Sequence, residues 1–435
     1  MKSVKFKIAF LISCISLLGA MPAKAQLVTT FAGNYTTGYT DDTGTNAAFN
    51  WPISIIFDKH MNMYVADADN NMVRKIITPN TVTSFAGNGT AGITDDTGTA
   101  ARFNHPLGIA IDTAGNVYVT DSKNNTIRKI TPAGRVTTFA GSGLVGNNDG
   151  PGATATFNYP NGLAVDDTGN VYVADSKNNM IRKITPVGYV STLAGNLTAG
   201  SNNDTGIKAS FNYPTGVAID KSGNLFVADE TNNMIRKISP AGIVVTIAGS
   251  GIAGSADDTG IAATFSEPYG ITIDSSGSLY VAEIGNDIIR QITPTRQVMT
   301  LVGLPGIIGG IDGLKDVATF DNPTGVLLDG NGNLFVADWN NNVIRKVILG
   351  YTGIFTPRKS TTILPFPNPA QDVVTIPAKQ NDEVIIYNVV GVEVYKTVVA
   401  GNNAVVSMKG FSTGLYTVQT IGKDGTKKTG KFIKQ

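Results

Sequence analysis

Apolar and polar positions alternate along most of this chain in short runs, and clusters of Gly, Asn, Asp, Thr and Pro separate the runs. The stretch around 160–195 shows the pattern. There "GLAVD" (Gly162–Asp166), "VYVAD" (Val171–Asp175), "MIRKI" (Met180–Ile184) and "YVSTLAG" (Tyr189–Gly195) read as four strands, and "DTGN", "SKNN" and "TPVG" as the turns between them. Period-two alternation rich in Val, Ile and Tyr, bounded by turn formers, is the mark of strands. Pairing Asp175 with Met180 across the intervening loop puts Val173, Asp175, Met180 and Arg182 on one face. Tyr172, Ala174, Ile181 and Lys183 then share the other. Both faces carry apolar residues, so the sheet needs a neighbour on each side, as a propeller blade does.

The unit recurs. An F-x-x-P anchor stands at Phe49, Phe103, Phe157, Phe211, Phe265 and Phe320, a step of 54 residues four times and then 55. A period this regular means a repeat architecture, solenoid or closed ring. A solenoid needs atypical polar caps. This sequence instead opens with an orphan fourth strand, "LVTTFAG" (Leu27–Gly33), and its sixth unit ends at Gly350 without one. The expected fold is therefore an all-β six-bladed β-propeller over residues 26–350, closed by its N-terminal strand so that no edge stays unpaired.

Composition agrees and narrows the class. The chain is 42% hydrophobic, 15% charged and holds 49 glycines, which suits a turn-rich β protein. Residues 26–350 carry 20 basic and 28 acidic side chains. Such a body does not suit the phosphates of nucleic acid. Residues 1–25 read as a signal peptide: Lys2, Lys5 and Lys7, the apolar run Ile8–Ala20, then Ala23-Lys24-Ala25 as the cleavage site. That run is too short to span a bilayer, and no later segment is long and apolar enough. "LISC" around Cys14, the one cysteine, offers a lipoprotein box as the alternative. Cleavage before Gln26 leaves a chain without thiols.

The units resemble NHL repeats, whose pattern runs approximately P-x-G-[IV]-A-[VI]-D-x-x-G-N-[LV]-[YF]-V-A-D-x-x-N-x-x-I-R-K and then V-T-T-x-A-G. Units two to four match nearly throughout; unit one has Ser54 for the glycine, and unit five departs at Glu283, Gly285 and Gln291. The resemblance implies the propeller but not one activity, since similar propellers include peptide- and RNA-binding modules, lyases and surface receptors. After a linker, 351–362, residues 363–435 read as a small C-terminal β-sandwich. Pro367, Asn368, Pro369, Asp372, Tyr387, Asn388, Gly391, Gly414 and Tyr416, followed by a basic strand, resemble the type A C-terminal sorting domain of the type IX secretion system. That resemblance implies the type IX machinery as partner and a cell-surface or released product. A small adhesive sandwich is the alternative.

Candidate chemistry is sparse. His60 and His105 fall in turns at opposite ends of the strands, which leaves no shared metal site or triad. No cofactor is expected. The loop acids Asp41-Asp42, Asp95-Asp96, Asp149, Asp204 and Asp257-Asp258 are the one pointer to calcium, and they lack its D-x-D-x-D-G spacing. The pairs Asp67/Arg74, Asp121/Arg128, Asp175/Arg182, Asp229/Arg236, Glu283/Arg290 and Asp338/Arg345 occur in every unit, which suits a buried structural pair better than an active site. Recognition is sought where the copies differ: before the anchor proline, and just after the repeated acid. Tyr35, Tyr39, Trp51 and Trp339 are expected to meet where unit six joins unit one, with Tyr159 and Tyr213 on the same face. They are read either as a binding surface or as packing that plugs the closure. The leading expectation is an exported recognition module for a peptide or glycan. A secreted NHL-like lyase and a structural or adhesive protein stand as alternatives.

Overall fold

The computed structural model describes residues 25–351, 365, 368, 370–389, 392–401, 403–423 and 427–435. The expected signal segment before Ala25, Cys14, most of the linker, and Pro367, Pro369 and Gly391 of the sorting motif lie outside these residues. The chain divides into two compact units, Met1–Phe355 and Thr356–Gln435.

In the first unit each F-x-x-P anchor opens an antiparallel sheet. The third sheet comprises Pro160–Val165, Val171–Asp175, Met180–Ile184 and Tyr189–Gly195. Asp175 pairs with Met180, as the alternation required. The innermost strand starts earlier than its apolar run, because the anchor proline already pairs with the repeated acid, Pro160 with Asp175. Two sheets gain a short outer strand, at Gly150–Pro151 and Gly313–Leu314. The sixth sheet takes its fourth strand from the other end of the chain: Ala25–Ala32 runs antiparallel to Val343–Tyr351, with Thr30 opposite Arg345.

Glycine sets the distance between sheets. A Cβ on Gly162 would stand 2.3 Å from the Thr215 carbonyl oxygen, on Gly216 2.3 Å from that of Tyr269, and on Gly270 2.0 Å from that of Thr324. One on Gly325 would meet the Ile53 carbonyl of the first sheet at 2.6 Å. The innermost strands therefore touch backbone to backbone in sequence, and the sixth touches the first. A cavity of about 270 Å³ lies among them, lined by all six. Between sheets the seams are apolar: Ala164, Tyr172, Ala174 and Ile181 of sheet three bury against Val217, Leu225, Val227 and Ile238 of sheet four. Both faces of each sheet are used.

The repeated acid and arginine are fully buried in all six sheets. Arg182 donates from Nη1 to Asp175 Oδ2 (2.8 Å) and to the Thr156 carbonyl, and from Nη2 to Asp149 Oδ1 (2.7 Å). Its guanidinium lies over the anchor ring of Phe157, 5.2 Å from the centroid. Asp175 also accepts from the Asn158 N–H and from Asn178 Nδ2. The carboxylate and both Nη groups thus meet partners, as burying an ion pair requires, while Nε of each repeated arginine is buried without one among the described residues. The loop acids are the outer partners of the arginines: Asp41, Asp95, Asp149, Asp257 and Asp312 pair with Arg74, Arg128, Arg182, Arg290 and Arg345. In sheet four Asn203 takes that role for Arg236. Asp42, Asp96, Asp204 and Asp258 each accept the N–H of the residue that follows.

Among its described residues the second unit has two antiparallel sheets. Val373–Pro377 pairs with Asn403–Ser407, and the other sheet runs Glu393–Val398, Glu383–Tyr387, Gly414–Ile421, Lys427–Lys434 in spatial order. Val374, Ile376 and Val406 of the first share a core with Val384, Ile386, Val418 and Phe432 of the second. Of the sorting-motif residues, Asn368 accepts the Ile433 N–H, Tyr416 donates to the Ser412 carbonyl, and Gly414 opens a strand. Asp372 accepts the Met408 N–H through its backbone carbonyl.

Candidate functional site

The loops after the second strands and those before the anchor prolines meet at one end of the sheets: in sheet one, Ala68 and Asp69 donate their N–H groups to the carbonyls of Trp51 and Asn50. At this end the residue before each anchor proline has a left-handed backbone, with φ of 62° at Trp51, 58° at His105, 58° at Tyr159, 55° at Tyr213, 50° at Glu267 and 53° at Asn322. For side chains of this size such a φ costs roughly 1–3 kcal/mol and persists only when the surroundings impose it. Here the preceding sheet imposes it. The His105, Tyr159, Tyr213 and Glu267 N–H groups donate to Oδ1 of Asn71, Asn125, Asn179 and Asn233, at 2.8–2.9 Å. Asn342 of sheet six does the same for Trp51 (3.0 Å), and Asp287 for Asn322. The backbone is fixed and the side chain is free to differ.

Trp51 and Trp339 meet edge to face, with ring centroids 4.9 Å apart. Trp51 continues to His105 (6.3 Å), and His105 to Tyr159 (6.3 Å). Beneath them Ile53, Ala68 and Leu107 form a buried apolar patch, against which Trp51, Trp339, Tyr159 and Tyr269 pack. Tyr269, next to the anchor proline of sheet five, exchanges hydrogen bonds with Asn161 of sheet three at 3.0 and 3.1 Å. A side chain from one sheet thereby reaches another two sheets away. Both tryptophans are half-buried, and Trp339 Nε1 is buried without a partner among the described residues.

Tyr35 and Tyr39 do not join this cluster. The Tyr35 hydroxyl donates to the Gly310 carbonyl (2.9 Å) and bonds to Thr30 Oγ1, further out along the closing strand. Tyr39 is 60% exposed, and its backbone carbonyl accepts from Arg74. Neither ring stacks on a tryptophan among the described residues. The expectation of four converging aromatics is corrected here: the long loop turns both tyrosines outward, and their neighbours' places are taken by His105, Tyr159 and Tyr269.

Charge around the mouth is split by sheet. Sheets two and three contribute Lys123 and Lys177, and Lys177 Nζ stands 4.6 Å above the ring of Tyr159. Sheet one contributes Asp69, whose Oδ1 is 3.1 Å from His105 Nδ1. Burial and the Lys123 ammonium hold His105 below the usual imidazole range, against the pull of Asp69. Sheets four and five contribute Glu230 and Glu267. Burial, helped by Glu267, pushes the Glu230 carboxyl up to about 8. His60 lies in the turn at the far end of sheet one.

Comparison with known proteins agrees with the repeat. Residues 103–130, 157–184 and 211–238 match the NHL repeat, and residues 365–435 match the secretion system C-terminal sorting domain. The chain carries NHL repeats and a type IX sorting domain. The sorting domain directs this NHL-repeat protein to the cell surface or the medium. Over 274 residues the chain is 31% identical to the protein SUPPRESSOR OF QUENCHING 1, chloroplastic, of Arabidopsis thaliana, covering 59% of the chain and 26% of that protein. It spans less than half the length of the first curated relatives it matches. Among solved structures, a structural genomics protein of unknown function from Bacteroides thetaiotaomicron superposes with a TM-score of 0.59 at 21% identity, over 74% of this chain and 76% of that one. An auxiliary nutrient binding protein from Bacteroides ovatus superposes at 0.57 and 17% identity, over the same shares. Both likenesses concern fold. In the NHL-repeat unit here, Trp51, Trp339, Tyr159 and Tyr213 were legible as variable positions, whereas Tyr269 and Asn161 were not singled out. Their signal was present: the residue after each anchor proline also changes from copy to copy, as Ile53, Leu107, Asn161, Thr215, Tyr269 and Thr324.

Proposed function

We propose that this protein is an exported recognition module that takes a peptide or a glycan at the aromatic mouth formed by Trp51, Trp339, His105, Tyr159, Tyr213 and Tyr269. The six sheets are read as the blades of a propeller closed through Ala25–Ala32. The second unit is read as a β-sandwich, and residues 1–25 as a signal peptide. The observation that carries the functional reading is the fixed backbone with changing side chains: six anchor positions share one left-handed conformation yet bear Trp, His, Tyr, Tyr, Glu and Asn. A purely structural ring has no need of that variety at a strained position, where glycine costs least. Aromatic faces stack on sugars and on apolar peptide groups, and Trp and Tyr dominate binding hot spots. The Bacteroides ovatus protein of this fold is described as nutrient-binding, in keeping with such a role for the scaffold.

The test is a glycan and peptide array probed with the secreted protein, repeated with Trp51→Ala and Trp339→Ala together. Loss of capture with an unchanged melting temperature supports the mouth as the site. Loss of roughly 3–5 kcal/mol of stability per tryptophan, the cost of truncating a core ring, would make the pair closure packing and move the site elsewhere.

A further inference from the structure

The first residue after the repeated acid is Ala68, Ser122, Ser176, Glu230, Ile284 and Trp339 in the six sheets. Two of these show what the position faces. Ser122 Oγ donates to the Pro160 carbonyl of the next sheet at 2.5 Å, and Ser176 Oγ to that of Pro214 at 2.6 Å. A small hydroxyl fills the position and completes the seam. Glu230 stands in the same place between sheets four and five, two bonds longer and with no proton to donate when ionised. Its backbone is held as in the other sheets, with the Thr231 N–H on the Asn212 carbonyl. The residue is half-buried, and its Oε2 is buried without a hydrogen-bond partner among the described residues. Among the described residues the charge that raises its carboxyl further is that of Glu267, an exposed acid of the next sheet, and Glu230 in turn raises Tyr213 and Tyr269. A buried carboxyl without a partner is costly, and a second acid beside it adds to the cost.

We propose that Glu230 and Glu267, with the rings of Tyr213 and Tyr269, form a cage for a cationic side chain, the ammonium of lysine or the guanidinium of arginine on a bound peptide. The proposal rests on the recognition reading above, because the cage opens into the same mouth, and it favours a basic peptide over a neutral glycan. A cation supplies the donor that Oε2 lacks and separates the two acids with positive charge. Tyrosine faces attract cations through their ring quadrupole, and the protein's own Lys177 already lies on the Tyr159 face at 4.6 Å. Burial and Glu267 keep Glu230 protonated up to about pH 8 in the empty site. Capture of a cation at neutral pH then ionises it and releases a proton.

The experiment is calorimetric titration of the full secreted protein with Nα-acetyl-lysine methylamide and with its Nε-acetylated, uncharged counterpart, in two buffers of different ionisation enthalpy at pH 7. The charged probe is expected to bind on the order of tenfold tighter or more, with proton release shown by the buffer dependence. Glu230→Gln should abolish both the preference and the proton release. Glu230→Ser, which installs the residue that sheets two and three use, should do the same with an intact seam. The tryptophan double variant should keep the preference, so the failure of the aromatic mouth and the failure of the cage are told apart. Equal binding of the two probes, no binding of either, or an undiminished preference in both Glu230 variants overturns the proposal.

Discussion

At the scale of single residues, the buried Asp–Asn–Arg group explains why one chain repeats the same short text six times. Each guanidinium ties the acid of the second strand to the carbonyl before the anchor and to the long loop, while lying on the anchor phenylalanine. The residue types are not interchangeable, because only arginine offers a planar fork that can serve two carboxylates and stack at once. Asp175→Ala removes the fully buried anion of Arg182 and leaves the half-exposed Asp149 as its remaining carboxylate, and is expected to cost about 3 kcal/mol. Asp175→Ala combined with Arg182→Met should cost less than the sum of the two single changes. Chemical denaturation of the four proteins measures this, and strict additivity would show that the pair is not coupled.

At the scale of elements, the N-terminal strand carries the longest-range strand pairing among the described residues. Val28 lies opposite Val347 and packs among Tyr280, Ile289, Leu334 and Val336, so it serves the seam between sheets five and six. Deleting Leu27–Gly33 leaves Val343–Tyr351 with a bare edge, which invites aggregation. The truncated protein is expected to be insoluble or to melt well below the intact one in scanning calorimetry. An unchanged cooperative transition would refute closure by this strand. The same scale accounts for Ser54. Its five counterparts Gly108, Gly162, Gly216, Gly270 and Gly325 have no room for a Cβ, whereas Ser54 pairs with Ala66, so that pairing in this innermost strand resumes two residues after the proline and in the others three.

At the scale of the whole molecule, the two compact units have separate cores, and the sorting domain belongs to the smaller one. Removing Leu364–Gln435 should therefore leave the melting transition of the repeat unit in place while the protein accumulates in the periplasm of its host. Surface appearance of the truncated protein would overturn the assignment of the address to this unit. The sequence by itself determined what local chemistry dictates: the strand period, the turns, the repeat length, the burial of Asp175 with Arg182, and the orphan strand at the start. Each rests on side-chain alternation, or on a count, that needs no coordinates. Tertiary structure decided what meets across the sheets. Tyr35 and Trp51 were equally plausible members of one cluster, and the course of the long loop separated them. Tyr269 and Asn161 lie 108 residues apart and meet because their sheets converge on a common centre. The isolation of Glu230 was likewise invisible in the text, because a missing partner can be recognised only when every neighbour is in place.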